Sequence, residues 1–128
     1  MIVIDASAAV ALLLAETAQS QLAQKLAASA ERGMSPVSYA ELVMALSKVH
    51  PHPKIIADAF MRDMQVALLT IDQQQSDLAV HAFLLFGKGR HPTRLNLGDC
   101  FSYAAAKAYN VPLLFIGRDF PQTDVLQA

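Results

Sequence analysis

An α/β sandwich built on a mostly parallel central sheet of four or five strands flanked by helices is the fold this sequence predicts. Three observations predict it. Short β-rich runs (Ile2 to Ile4, Val66 to Ile71 and Val111 to Ile116) alternate with longer segments of helical periodicity. The chain has 128 residues, 54% of them hydrophobic and 16% charged, which suits one domain with one substantial core over residues 1–128. Five Gly and six Pro are too few for a linker or low-complexity tract, and no internal repeat is present.

The elements follow in order. Ile2-Val3-Ile4 reads as a buried central strand, stopped by Asp5 and followed at once by a helix from Ala6 to Leu14. Thr17 to Glu31 is dense in Ala, Leu, Gln and Lys, good helix formers, and ends at Gly33. Met34-Ser35-Pro36 has room only for a short strand or turn, and Pro36 suits the first position of a new helix. That helix runs from Val37 to Val49, until His50-Pro51-His52-Pro53 breaks it. Lys54 to Gln65 is amphipathic, and Val66 to Ile71 is the second β-rich run. Asp72 is placed to cap a long helix from Gln73 to Phe86. A polar, basic loop spans Gly87 to Asn96, a helix Gly98 to Tyr109, and a last strand Val111 to Ile116.

Composition excludes several function classes. Eleven acidic against ten basic residues give a net charge of −1, so any nucleic-acid contact must come from a local basic cluster. One cysteine, Cys100, permits no internal disulfide and fits a reducing cytosol. No basic stretch precedes an apolar run at the N-terminus, so no signal peptide is expected. The longest apolar run, Ala8 to Ala15, falls far short of the roughly 20 residues a membrane helix needs. The expectation is a soluble, cytoplasmic protein.

Ligands of a parallel sheet bind beyond the carboxyl ends of its strands, and four acids follow that rule. Asp5 ends the first strand, Asp119 lies just past the last, Asp99 opens the helix before it, and Glu41 lies in the first turns of its own helix. Hard cations such as Mg²⁺ take oxygen ligands and keep several waters, so a few carboxylates suffice. Each acid also has a plainer reading. Asp5 suits an N-cap, and Ser38-Tyr39-Ala40-Glu41 matches a capping box unless Pro36 starts the helix earlier. Asp99 is favoured by the helix dipole, and Asp119 suits a turn, with Asp124 as its rival. Spacing alone does not decide between these readings.

Four segments taken together do. Ile2 to Ser7 (IVIDAS), Ser38 to Leu42 (SYAEL), Leu95 to Tyr103 (LNLGDCFSY) and Leu113 to Val125 (LLFIGRDFPQTDV) resemble the PIN-domain ribonucleases, most closely the VapC-type toxins of bacterial toxin–antitoxin pairs. The resemblance spans essentially the whole chain. It implies a PIN-like domain and an endoribonuclease whose products carry a 5′-phosphate and a 3′-hydroxyl. It further implies that Asp5, Glu41 and Asp99 hold Mg²⁺, or Mn²⁺ in its place, with Asp119 as a fourth, more variable acid. Ser7 would position a water or a phosphate, and Asn96 would orient the loop ahead of Asp99; both are also ordinary helix-start residues. An antitoxin is the implied partner, seated on the helices Thr17 to Glu31 and Val37 to Val49, which equally suit core or a homodimer seam.

The sequence departs from the family pattern at Arg118, where many relatives carry Asn or Asp. A catalytically inactive PIN-like module that binds RNA or a partner therefore stays open as the alternative. RNA contact is assigned to the one dense basic cluster, Lys88, Arg90 and Arg94, with Arg118 beside the fourth acid either binding phosphate or pairing with Asp119. His50, His52, His81 and His91 form no zinc pattern, and Cys100 is expected to be a small buried residue. A phosphoacceptor receiver would want an acidic pair after the first strand, and a nucleotide-binding module a Gly-rich phosphate turn; neither is present.

Overall fold

Four strands, β1 (Ile2–Ile4), β2 (Arg32–Met34), β3 (Val66–Leu68) and β4 (Leu113–Leu114), form one parallel sheet in the order β3-β2-β1-β4. The computed structural model describes residues 1–14 and 17–128; Ala15, the end of the longest apolar run, lies outside them. Among the described residues there are six α-helices: α1 (Ala6–Leu13), α2 (Gln19–Ala27), α3 (Pro36–Leu46), α4 (Pro53–Asp63), α5 (Gln73–Phe86) and α6 (Leu97–Tyr109). None is long and apolar enough to cross a membrane.

Strand periodicity divides the core. Ile2 and Ile4 face one way, into a cluster with Ala8, Leu22, Leu42 and Phe60 from α1 to α4. Val3 faces the other way, against Ala79 and Ala82 of α5 and Tyr103 to Ala106 of α6. Both faces are covered, which is why the strand residues read as continuous apolar runs rather than alternating ones.

Chain order places the site. From β1 the sheet grows one way to β2 and β3, and the other way to β4. The order therefore reverses beside the carboxyl end of β1, where the Asp5 amide donates to the Leu114 carbonyl at 2.9 Å. The helix α3 leaves the carboxyl end of β2, and α6 returns to the start of β4, so both begin at this same edge.

Several boundaries differ from expectation: the helix expected to reach Val49 ends at Leu46, and the last strand is confined to Leu113–Leu114. The second helix stops at Ala27, and Gly33 lies inside β2 rather than ending a helix. A Cβ on Gly33 would meet Leu69 at 2.8 Å and Met1 at 2.9 Å, so close approach requires the glycine. The next helix starts at Pro36 with Ser35 as its cap, which removes the capping-box reading of Glu41 and leaves that side chain free of the helix end. The β-rich run after Gln65 is strand only from Val66 to Leu68, at the sheet's edge, and its last bond to β2 runs from the Leu69 amide to the Met34 carbonyl at 2.9 Å.

Candidate active site

Asp5 is both a helix cap and a member of the acidic group. It is 3% exposed, and its Oδ2 accepts from the Ser7 amide at 2.9 Å and the Ser7 hydroxyl at 2.6 Å. Its Oδ1 accepts from the hydroxyl of Ser102, on α6, at 2.6 Å. Ser102 is in turn 2.7 Å from the Ser38 hydroxyl of α3, and both serines are wholly buried. The Ser7 hydroxyl also accepts from the Ile116 amide at 3.1 Å, which ties the segment after β4 to the same carboxylate.

Asp99 likewise serves twice. Asn96 caps α6 by accepting from the Asp99 amide at 2.9 Å, and Asp99 Oδ2 accepts from the Asn96 amide at 3.1 Å. Its Oδ1 is left outside this capping box. Glu41 comes from the facing helix and presses against the start of α6. A Cβ on Gly98 would lie 2.0 Å from Glu41 Oε1 and 2.2 Å from its Cδ, so only glycine admits the carboxylate there.

The charges record the convergence. Burial, then the Asp5 carboxylate, then that of Asp99 raise the Glu41 carboxyl above its ordinary value. Burial pushes Asp99 up to about 6; the Asn96 amide opposes this, and Asp5 and Asp119 add to it. All four predicted acids are thus coupled at one edge of the sheet, three of them partly or fully buried and Asp119 exposed. Among the described residues no three His, Cys, Asp or Glu side chains converge closely enough to hold an ion as they stand.

Asp124 is bound elsewhere. Its Oδ1 accepts from the Tyr103 hydroxyl at 2.6 Å and its Oδ2 pairs with Lys107 at 3.0 Å, which holds its carboxyl below the ordinary value and anchors the C-terminal segment. Lys88, Arg90, Arg94 and Arg118 are exposed and make no salt bridge among the described residues, so the pairing of Arg118 with Asp119 does not form. The basic loop is better anchored than its polarity suggests. Thr93, 1% exposed, donates its hydroxyl to the Phe86 carbonyl at 2.7 Å, Gly87 bridges Leu95, and the Arg90 guanidinium lies 5.4 Å over the Phe83 ring. Lys88 borders an apolar hollow of about 650 Å³ with Phe83, Leu97 and Phe101, beside the start of α6.

Cys100 is buried, and burial, aided by Asp99, pushes its thiol up to about 11, which removes it as a nucleophile. Ser38 and Ser102 were not singled out as site residues from the sequence. A signal for them exists, since each lies three residues from an acid on the same helix face, Ser38 before Glu41 and Ser102 after Asp99.

Comparison with known proteins fits this geometry. The PIN domain family model matches residues 2–126. A ribonuclease VapC of Mycolicibacterium smegmatis is 42% identical over 124 residues, 96% of each chain. Among solved structures, Mycobacterium tuberculosis VapC20, described as a Sarcin-Ricin loop cleaving toxin, superposes with a TM-score of 0.79 at 16% identity, covering 100% of this chain and 98% of that one. A toxin–antitoxin complex from Klebsiella pneumoniae gives a TM-score of 0.75, also at 16% identity, covering 100% of this chain and 97% of that one. These two share the fold, while the closer sequence relative and the family model carry the assignment: the chain belongs to the PIN-domain family, in its VapC ribonuclease branch.

Proposed function

We propose that this chain is a divalent-metal-dependent endoribonuclease and the toxin of a toxin–antitoxin pair. The observation that carries the reading is the gathering of Asp5, Glu41, Asp99 and Asp119 at the point where strand order reverses, with the two half-buried helix acids, Glu41 and Asp99, raised by burial first and by neighbouring carboxylates second. The named activity of the relatives supports the substrate class.

The donor set fits a hard ion: it is all oxygen, Asp99 keeps Oδ1 outside its capping box, and Glu41 is seated in a cradle that a Cβ would fill. Asp5, Glu41 and Asp99 would hold Mg²⁺ or Mn²⁺, with Asp119 as a fourth acid at the exposed side. When bound, such an ion lowers the pKa of water and stabilises the leaving oxygen of a phosphodiester. The protein's own part is to hold the carboxylates against their repulsion and to seat the RNA. Lys88, Arg90, Arg94 and Arg118, free of salt bridges among the described residues, bind phosphates and set register without reading sequence. Ser7 has its proton committed to Asp5, so it positions that acid rather than a phosphate.

An antitoxin is the partner this reading brings, and a second copy of the chain another. Exposed apolar side chains such as Met44 on α3 and Val80 on α5 supply surface for them. The direct test is cleavage of RNA with Mg²⁺, with EDTA, and by Asp99→Asn. Activity is expected only for the wild type with metal. Full activity in EDTA, or equal cleavage by the variant, would sink the proposal, and RNA binding without metal binding would favour the inactive module.

A further inference from the structure

Buried hydroxyls must be bonded, and the two at the heart of this site are bonded to one another and to Asp5. Ser102 Oγ donates to Asp5 Oδ1 at 2.6 Å. A serine has one hydroxyl proton, so the 2.7 Å contact between Ser38 and Ser102 must be donated by Ser38. The relay therefore runs from Ser38 on α3, through Ser102 on α6, to the acid at the end of β1. It ties together the three elements that carry Glu41, Asp99 and Asp5, with no solvent access to either serine.

The lone pairs of Asp5 can be counted. An ionised carboxylate offers about four acceptor sites, two on each oxygen. Oδ2 accepts from both the amide and the hydroxyl of Ser7, and Oδ1 accepts from Ser102. One site is left, on Oδ1. We propose that the Ser38–Ser102 relay is a positioning device that makes Asp5 a one-oxygen ligand, and so tunes the site to small octahedral ions. This rests on the metal-dependent reading above. Mg²⁺ demands near-ideal octahedral geometry and Mn²⁺ occupies the same octahedral oxygen sites, whereas Ca²⁺ accepts carboxylates through one or both oxygens in flexible shells. Without Ser102, Oδ1 gains a second vacant site and the carboxylate loses the bond that fixes its plane. The acid remains, but its selectivity does not.

The test is Mn²⁺ binding to the full chain, read by electron paramagnetic resonance, with Ca²⁺ as competitor and melting in EDTA as a control. For Ser102→Ala, Mn²⁺ affinity should fall about 10- to 100-fold, the usual cost of losing a partner of a metal ligand. Ca²⁺ affinity should hold or rise, so the ratio between the ions shifts. Ser38→Ala removes only the donor to Ser102 and should move the ratio the same way by a smaller factor. It carries the test alone if Ser102→Ala does not fold. An unchanged Mn²⁺ to Ca²⁺ ratio, whether both affinities stay put or fall together with the melting temperature, would overturn the proposal and leave the serines as packing. A wild-type chain that binds no Mn²⁺ would instead overturn the metal site itself.

Discussion

Replacing Gly98 by alanine should yield a protein that folds at least as well and cleaves RNA poorly. The added Cβ would stand 2.0 Å from Glu41 Oε1. Ordinary contact begins near 3.4 Å, so the carboxylate must retreat by about 1.4 Å. The obstructed group is the end of a flexible side chain, not backbone, so the helix itself is not asked to move. Gly98 is the second residue of α6, where alanine is the better helix former by up to about 1 kcal/mol. Moving Glu41 away from Asp5 and Asp99 also relieves repulsion that raises its pKa. Stability should therefore hold or rise. Function should not, because displacing a reacting or ligating group by about 1 Å can cost on the order of 100-fold in rate. Urea denaturation in EDTA, Mn²⁺ titration and RNA cleavage on one preparation separate these effects. A variant with wild-type Mn²⁺ affinity and wild-type kcat/KM would refute the reasoning, since it would mean that Glu41 does not act from the position it holds against Gly98.

Two further outcomes follow from the same charges. Burial holds the Asp99 carboxyl at about 6, above its unfolded value, so the folded state binds the extra proton between those two values and its contribution to stability is full below pH ~4 and lost as pH rises through about 6. A full shift of this size is worth about 3 kcal/mol, and partial exposure of Asp99 cuts that to roughly 1–2 kcal/mol. In EDTA, Asp99→Asn should thus be more stable than the wild type at pH 7.5 and lose that advantage at pH 4; a gap that does not vary with pH would count against it. For RNA binding, Lys88→Ala, Arg90→Ala and Arg94→Ala should each flatten the salt dependence by roughly 0.7 in log K against log salt, the single-strand value per phosphate contact. Slopes that match the wild type would place these cations off the RNA path.

Much of the fold was legible because local signals and burial agree. Ile2-Val3-Ile4 is buried on both faces of the sheet, so its unbroken apolar run is what a central parallel strand requires. Asp72 caps α5, and Asn96 caps α6, as their types suggest. Gly33 misled because glycine ends helices and also permits close strand packing, and only the neighbours Leu69 and Met1 decide which. The basic loop reads as solvated from its charges, yet Thr93 and Gly87 fasten it from within. The acids could be named from the four motifs, whereas the serines between them carry only a weak signal, a spacing of three residues from an acid. A buried hydroxyl looks like any surface serine until the element facing it is known, and Ser38 faces Ser102 across 64 positions of sequence.

Capping and ligation are alternative readings of an acid in sequence, and in this chain the acids proposed to hold a metal, Asp5 and Asp99, are also helix-start residues bonded to backbone amides. A cap fixes a carboxylate by its bonds to amides at a helix start, and it does so without any ion present. Asp5 bonded to Ser7 and Asp99 bonded to Asn96 are therefore held in place at a cost that the folded chain already bears, since burial first and neighbouring carboxylates second raise both Glu41 and Asp99. The bonds occupy one oxygen of Asp99 and most of the capacity of Asp5. Helix ends are also where backbone N–H groups are unsatisfied, so the positions best able to hold an acid rigidly are those where a parallel sheet already gathers its helix starts. Glu41 is the exception that fits the rule. It has no cap to hold it, because Ser35 and Pro36 start its helix earlier, and its seat is made instead by the missing side chain of Gly98.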